Sequence, residues 1–249
     1  MDYKTISEKP RNKYCAQAAS EMLACALTYL AASDRLVYSY GSKTFLSGYD
    51  LFESDGRGNI DCSTFVMLVL SGIPYECSPY ASGSIKDLTA GEQPWAYRGL
   101  VDFDLIPDHY TSIAERIGRP YLAGPKGLDL KKAADRGITV EMLAAEIRAT
   151  GTVRRSVYLS EYFMNRDLCF TDESCAMPGD LVFYRSSGFF SDHDRNYQGR
   201  AEINHVGIVS NEQGMMINSS GSSVVEKPAI SLEPIFGARK PVMFARVVS

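Results

Sequence analysis

The run from Gly58 to Leu70, Gly-Asn-Ile-Asp-Cys-Ser-Thr-Phe-Val-Met-Leu-Val-Leu, constrains this chain more than any other stretch. A Gly-rich loop leads into a cysteine flanked by small polar residues. An apolar segment of helical length follows, until Gly72 and Pro74 stop it. The pattern predicts a helix that starts at Cys62 and is capped by Asp61. Unpaired N–H groups and the positive end of the helix dipole at that point favour a thiolate, so the Cys62 pKa is expected below that of a free cysteine. The alternative is a small buried structural residue, since free cysteines are among the most buried residue types.

The far end of the chain bears on that choice. Met177 to Tyr184 reads as a tight turn feeding a strand, and Asn204 to Val209 reads as a strand beginning at a histidine. Met215 to Ser220 makes a third strand across a turn at Asn211 to Gly214. Side chains alternate along a strand, so Met216 and Asn218 share one face and Ile217 takes the other. A cysteine on a helix, a histidine on a strand and a polar side chain on the next strand are the parts of a Cys-His-Asn nucleophilic site. Cys62 would attack a carbonyl, His205 would take and return the proton, and Asn218 would orient the imidazole. The Cys62 backbone N–H is the expected oxyanion donor. His109 and His193 sit in polar loop contexts and read as solvated. His193, Asp192 and Asp194 are nonetheless the rivals of Asn218 as orienter, although a loop holds such a group poorly.

In order and local sequence these elements resemble the NlpC-type family of bacterial cell-wall cysteine peptidases. In that family a D-C-S/G-x-F/L helix start is followed by a P-G-D-L-V-F-F strand, an H-V-G-I strand and a third polar residue on the next strand. Here they stand as Asp61 to Phe65, Pro178 to Tyr184, His205 to Ile208, and Asn218, covering about a third of the chain. The resemblance implies an α+β, papain-like fold, with a helical lobe carrying the nucleophile helix packed on an antiparallel β-sheet. It implies hydrolysis of an amide bond in peptidoglycan stem peptides, the γ-D-glutamyl to diamino acid bond first among them, with no cofactor. It also implies that Asp61 and Ser63 hold a free amine of the substrate, beside the plain capping role of Asp61. Tyr38, in Leu36-Val37-Tyr38-Ser39-Tyr40-Gly41, is similar in place to a family tyrosine that lines the site near the attacked carbonyl. An ordinary half-buried strand aromatic is the other reading of it. Two different activities stay open: an N-acetylmuramoyl-L-alanine amidase of the CHAP lysin kind, and a non-catalytic wall-binding module. A lipid acyltransferase of the permuted branch is disfavoured, because there the histidine precedes the cysteine.

Cys62 and His205 are 143 positions apart, more than such a domain needs. One domain over residues 1–249 is therefore expected, with an inserted region at about 75–176 that either walls the cleft or decorates the outside. The aromatics Trp95, Tyr97, Tyr110 and Tyr121 favour the wall. Within it Thr139 is expected to cap a helix from Val140 to Arg148, and a second helix is expected near Val157 to Met164. A net charge of −4 with no long block of like charges argues against nucleic acid. No Cys/His cluster has zinc spacing, so no metal is implied. Cys169 and Cys175 are expected as reduced neighbours. The first residues lack an apolar core of signal-peptide type, and Met22 to Ala32 is too short to span a bilayer. The expectation is a protein made in soluble form in the cytoplasm, with no membrane partner, and delivered to cell wall by phage lysis, an injection system or a cleaved signal. Asn12 is expected to cap a scaffold helix from about Lys13 to Ser33, with Cys15 and Cys25 in its core, and Val242 to Val248 to close the sheet.

Overall fold

The computed structural model describes residues 6–39, 55–82, 114, 117–124, 127–139, 142–143, 156–164, 166–185, 203–221, 227–237 and 239–247. Helix α1 spans Ala16–Ala31 and buries Ala18, Met22, Cys25 and Tyr29 at the spacing of one helical face. Its start corrects the expectation. Asn12 does not cap it: the Asn12 amide donates to the Arg246 carbonyl at 2.9 Å, and Cys15 occupies the cap position without a side-chain bond. The Tyr14 hydroxyl donates to the Pro178 carbonyl at 3.0 Å, so the segment before the helix is tied to the far end of the chain. Cys15 is half-buried; Cys25 is fully enclosed.

Strand β1 (Leu36–Tyr38) pairs in parallel with β2 (Gly58–Ile60), which hands the chain to α2 (Cys62–Leu70). The Asp61 carboxylate accepts from the Thr64 N–H at 2.8 Å and caps α2 as expected. At the other end Gly72, at φ 69°, donates to the Val69 carbonyl and Ile73 donates to the Leu68 carbonyl. This is a Schellman ending, which needs the left-handed conformation glycine adopts without strain. All nine residues of α2 are buried. The Tyr29 hydroxyl of α1 donates to the Ile73 carbonyl at 2.9 Å, and its ring meets Phe65 and Tyr75 edge-on.

The described part of the middle region contains α3 (Pro79–Ser82), a β3–β4 hairpin (Ala123–Gly124 and Gly127–Leu128), α4 (Leu130–Ala134) and α5 (Ser156–Met164). Thr139 accepts from the Met142 N–H at 3.2 Å, as a cap does, while most of the expected 140–148 helix lies outside the described residues. Leu122, Ala133, Ile138 and Leu143 form a small core of their own. The end of this region belongs to the main fold: Leu159 and Phe163 of α5 pack in the principal core. Strand β5 (Cys169–Phe170) joins the principal sheet. The expected insertion at 75–176 thus merges into the scaffold at its C-terminal end.

That sheet comprises β5, β6 (Leu181–Arg185), β7 (Ile203–Val209), β8 (Met215–Ser219), β9 (Ile230–Pro234) and β10 (Pro241–Ala245). Its order is β5-β10-β6-β7-β8-β9, with every pairing antiparallel. The chain is α+β. Alternation sorts the sheet into two faces. Leu181, Phe183, Val206, Ile208, Ile217, Met243 and Ala245 face α1, α2 and α5 in the principal core. Val182, Tyr184, Val209, Met216, Phe170 and Phe244 form a second core on the opposite face. Strands β5 and β9 carry no clear sequence signal, being short or broken by polar residues and Pro234.

The turn before β6 is fixed by a buried ion pair. The Arg246 guanidinium reaches Asp180 with Nε at 3.1 Å and Nη2 at 2.9 Å, and Nη2 also donates to the Cys175 carbonyl at 2.6 Å. The second Asp180 oxygen accepts from the Met177 N–H at 2.8 Å. Gly179, at φ 86°, lies so close to α1 that a Cβ would stand 3.0 Å from that of Ala19. Arg246→Ala strands the Asp180 charge in a site with no solvent exposure. It is expected to destabilise the protein by about 3–5 kcal/mol. Urea denaturation checks this, and a loss below about 1 kcal/mol, the value of an exposed pair, would refute it.

Candidate active site

Of the three residues singled out by sequence, His205 and Asn218 touch each other, and Cys62 reaches the backbone of the strand that carries His205. Strand β7 pairs with β8 through Ile208↔Ile217 and Val209↔Met216, whereas β8 stays paired with β9 as far as Ser219. Beyond that point β7 turns its backbone to the start of α2. The Cys62 thiol lies 3.9 Å from the Asn204 carbonyl, and the Val206 N–H also reaches the sulfur. The sulfur therefore meets the backbone on both sides of His205.

His205 stands on the opposite face from Val206, with its register partner Tyr184 beside it at a ring distance of 5.7 Å. Its Nε2 is 3.0 Å from Oδ1 of Asn218. The Asn218 amide nitrogen donates to the Ser231 carbonyl at 3.4 Å, which fixes which end of the amide faces the ring. Oδ1 can only accept, so Nε2 carries the proton and Nδ1 keeps a lone pair. Gly207 makes this approach possible: a Cβ there would stand 3.2 Å from Cβ of Asn218 and 2.9 Å from the Met216 sulfur. Met216 and Asn218 face away from Ile217, as alternation requires.

Around the nucleophile, the Ser63 hydroxyl donates to the Asp61 carboxylate at 3.0 Å, on the same oxygen that caps the helix. Asp61, Cys62, Ser63 and His205 are all buried. Tyr38 packs its ring against Gly221, three residues past Asn218, which sets it at the margin of the site. No family model matches this chain, and no curated protein matches it. His109, His193, Asp192, Asp194, Trp95, Tyr97 and Tyr110 lie outside the described residues. Tyr121 is exposed and lies under the Arg136 guanidinium, 4.8 Å from its charge centre.

The electrostatics differ from the expected depressed thiol pKa. Burial, and then the Asp61 charge, push the Cys62 thiol up to about 12, against the N–H groups of Val206, Ser63 and Cys62 itself. Burial, helped by the Arg239 charge, pushes His205 down to about 4, against the Asn218 bond and the Glu233 charge. Two N–H groups at a helix start and one on β7 do not replace the water that a fully enclosed thiolate loses. Both the Cys62 thiol and the His205 imidazole therefore rest neutral over the whole physiological range. None of the six cysteines is in a disulfide. Among the described residues no helix is long and apolar enough to cross a membrane.

Sequence reasoning passed over Ser231, Glu233 and Tyr184, because their place beside the site depends on strand order. A depressed histidine pKa has a stability consequence. The unfolded chain binds a proton between about pH 6.5 and 4 that the folded chain refuses, so stability is full above 6.5 and falls as pH drops towards 4. At about 1.4 kcal/mol per unit the loss is on the order of 3 kcal/mol. The His205→Gln variant is expected to lose correspondingly less between pH 7 and 4 in urea titrations. Identical acid sensitivity in the two proteins would contradict a buried neutral His205.

Proposed function

We propose that this chain is a cysteine peptidase of NlpC type, on a papain-like arrangement, that hydrolyses an amide bond in peptidoglycan stem peptides. The observation that carries the reading is the 3.0 Å contact between His205 Nε2 and Asn218 Oδ1, made on the strand whose backbone receives the Cys62 sulfur. With Nε2 committed to Asn218, Nδ1 is the nitrogen that takes the thiol proton. The sulfur then attacks the carbonyl carbon, and the imidazolium returns the proton to the leaving amine. Water adds to the resulting thioester by the same base and releases the acid. The N–H groups at the start of α2 are suited to the oxyanion. Because both groups rest neutral, the proton moves during attack and no thiolate is stored beforehand.

Within this class the substrate is the γ-D-glutamyl to diamino acid bond, with Asp61 and Ser63 near a free amine. A second reading draws on a specific observation: Ser63 and the Thr64 N–H already occupy one Asp61 oxygen, and the carboxylate is buried. An Asp61 that acts only as a cap fits a muramoyl-L-alanine amidase better, since there the glycan is still attached and no free amine needs holding. Digesting purified muropeptides and weighing the fragments separates the two bonds.

Cys62→Ala and His205→Ala are expected to cut the rate by on the order of 10⁴–10⁶. Asn218→Ala should cost clearly less, since it orients the ring and takes no part in bond making. Acetylating the amine of a stem tripeptide should slow cleavage by about 1.5–3 kcal/mol if Asp61 binds it. Undiminished turnover by Cys62→Ala would end the peptidase reading, and equal rates on free and acetylated peptide would move the substrate to the amidase bond.

A further inference from the structure

Beyond the point where the β7–β8 ladder ends, the backbone of Asn218 is paired on one side, and toward β7 its side chain meets His205. Its strand partner there is β9, with Asn218 opposite Ser231 and Met216 opposite Glu233. On the face that carries His205, one oxygen of Glu233 collects three groups. The Ser220 hydroxyl donates to it at 2.6 Å, the Ser231 hydroxyl donates at 3.0 Å, and Lys227 stands 3.7 Å away. Ser220 lies two residues past Asn218, just beyond the end of β8, and Ser231 is the residue whose carbonyl accepts from the Asn218 amide. The carboxylate thus ties the chain beyond Asn218 to the residue that orients its amide. Burial works against its charge, but the two hydroxyls and then Lys227 hold Glu233 below the usual carboxylate range. It accepts from both serines as an anion, the strong form of such bonds.

We propose that Glu233 is a positioning residue, which clamps Ser220 and Ser231 so that Asn218 stays against His205 where the neighbouring strand no longer supports it. This rests on the Cys62-His205-Asn218 reading and deepens it. No bond to the reacting atoms is assigned to Glu233: its charge also favours a protonated His205 directly, an effect lost in Glu233→Gln and Glu233→Ala alike, and the clamp is its separate action through Asn218. An ordinary surface ion pair with Lys227 would be worth little and would leave the histidine untouched. The clamp requires instead that a loss at Glu233 be felt at Cys62 only while Asn218 is present.

The test is the second-order rate of Cys62 alkylation by iodoacetamide at neutral pH, read by mass spectrometry of the Cys62 peptide in the full-length protein. It needs no substrate. Glu233→Ala is expected to slow alkylation roughly tenfold, within the span of coupling between residues of one hydrogen-bonded network. Glu233→Gln, which keeps an acceptor oxygen for the serines, should restore most of the rate. Adding Glu233→Ala to Asn218→Ala should cost nothing further. If Glu233→Ala does not fold, judged by circular dichroism, Ser220→Ala and Ser231→Ala each remove one arm of the clamp and should give smaller losses of the same kind. His205→Ala separates the two possible failures. An unchanged alkylation rate in that variant would overturn the nucleophilic site, and the inference with it. A slow His205→Ala beside a normal Glu233→Ala, a Gln variant as slow as Ala, or full additivity with Asn218→Ala would each overturn the clamp alone.

Discussion

A nine-residue helix with every side chain buried must be covered on every side, and most of this architecture is the cover for α2. Tyr29 and its neighbours on α1 close one flank, and Leu159 and Phe163 of α5 close another. The sheet face of Val206, Ile208 and Ile217 closes a third. A helix so enclosed has no solvent to satisfy its terminal backbone groups, so both ends are finished chemically, by the Asp61 carboxylate and by the Schellman turn at Gly72. The two devices fix where the helix begins to within a residue. Cys62 is the first residue inside, and its position follows from burial and capping before any chemistry is asked of it.

The same burial explains the character of the site. Where β7 leaves β8, backbone groups lose their ladder partners, and buried groups of that kind need others. The Cys62 sulfur takes up the Asn204 carbonyl and the Val206 N–H. Its first turn is thus seated by the sheet, at the cost of removing the thiol from water. Neither Cys62 nor His205 ionises readily alone in such a place.

Rigidity at the far side comes from polar groups rather than apolar packing. The Asp180–Arg246 pair fastens the turn before β6 to the end of β10, and through Asn12 and Tyr14 to the segment ahead of α1. Each partner is doubly bonded, which is the condition under which a buried charge is tolerated. Gly179 lets that turn close against Ala19 without a side chain between them. Strand β6 enters the sheet from this anchored point and carries Tyr184 beside His205.

The sequence by itself determined the local pieces. An aspartate before an apolar run means a capped helix, and Pro178-Gly179-Asp180 means a turn. Alternation along 215 to 219 puts Asn218 opposite Ile217 whatever the strand packs on. These are short-range consequences of residue type, so Cys62, His205 and Asn218 could be singled out as candidates from the chain alone. It did not determine that α1 would begin at Ala16 instead of at an Asn12 cap, because the competing partner, the Arg246 carbonyl, is 234 positions away. Nor did it determine the sign of the Cys62 shift, which depends on how completely other segments enclose the sulfur. The assembly of Ser220, Ser231 and Glu233 behind Asn218 was equally beyond it, since β9 is weakly patterned and its place beside β8 is a matter of register. Partners set by contacts across the chain, and the desolvation that follows from them, exist only once the tertiary structure has formed.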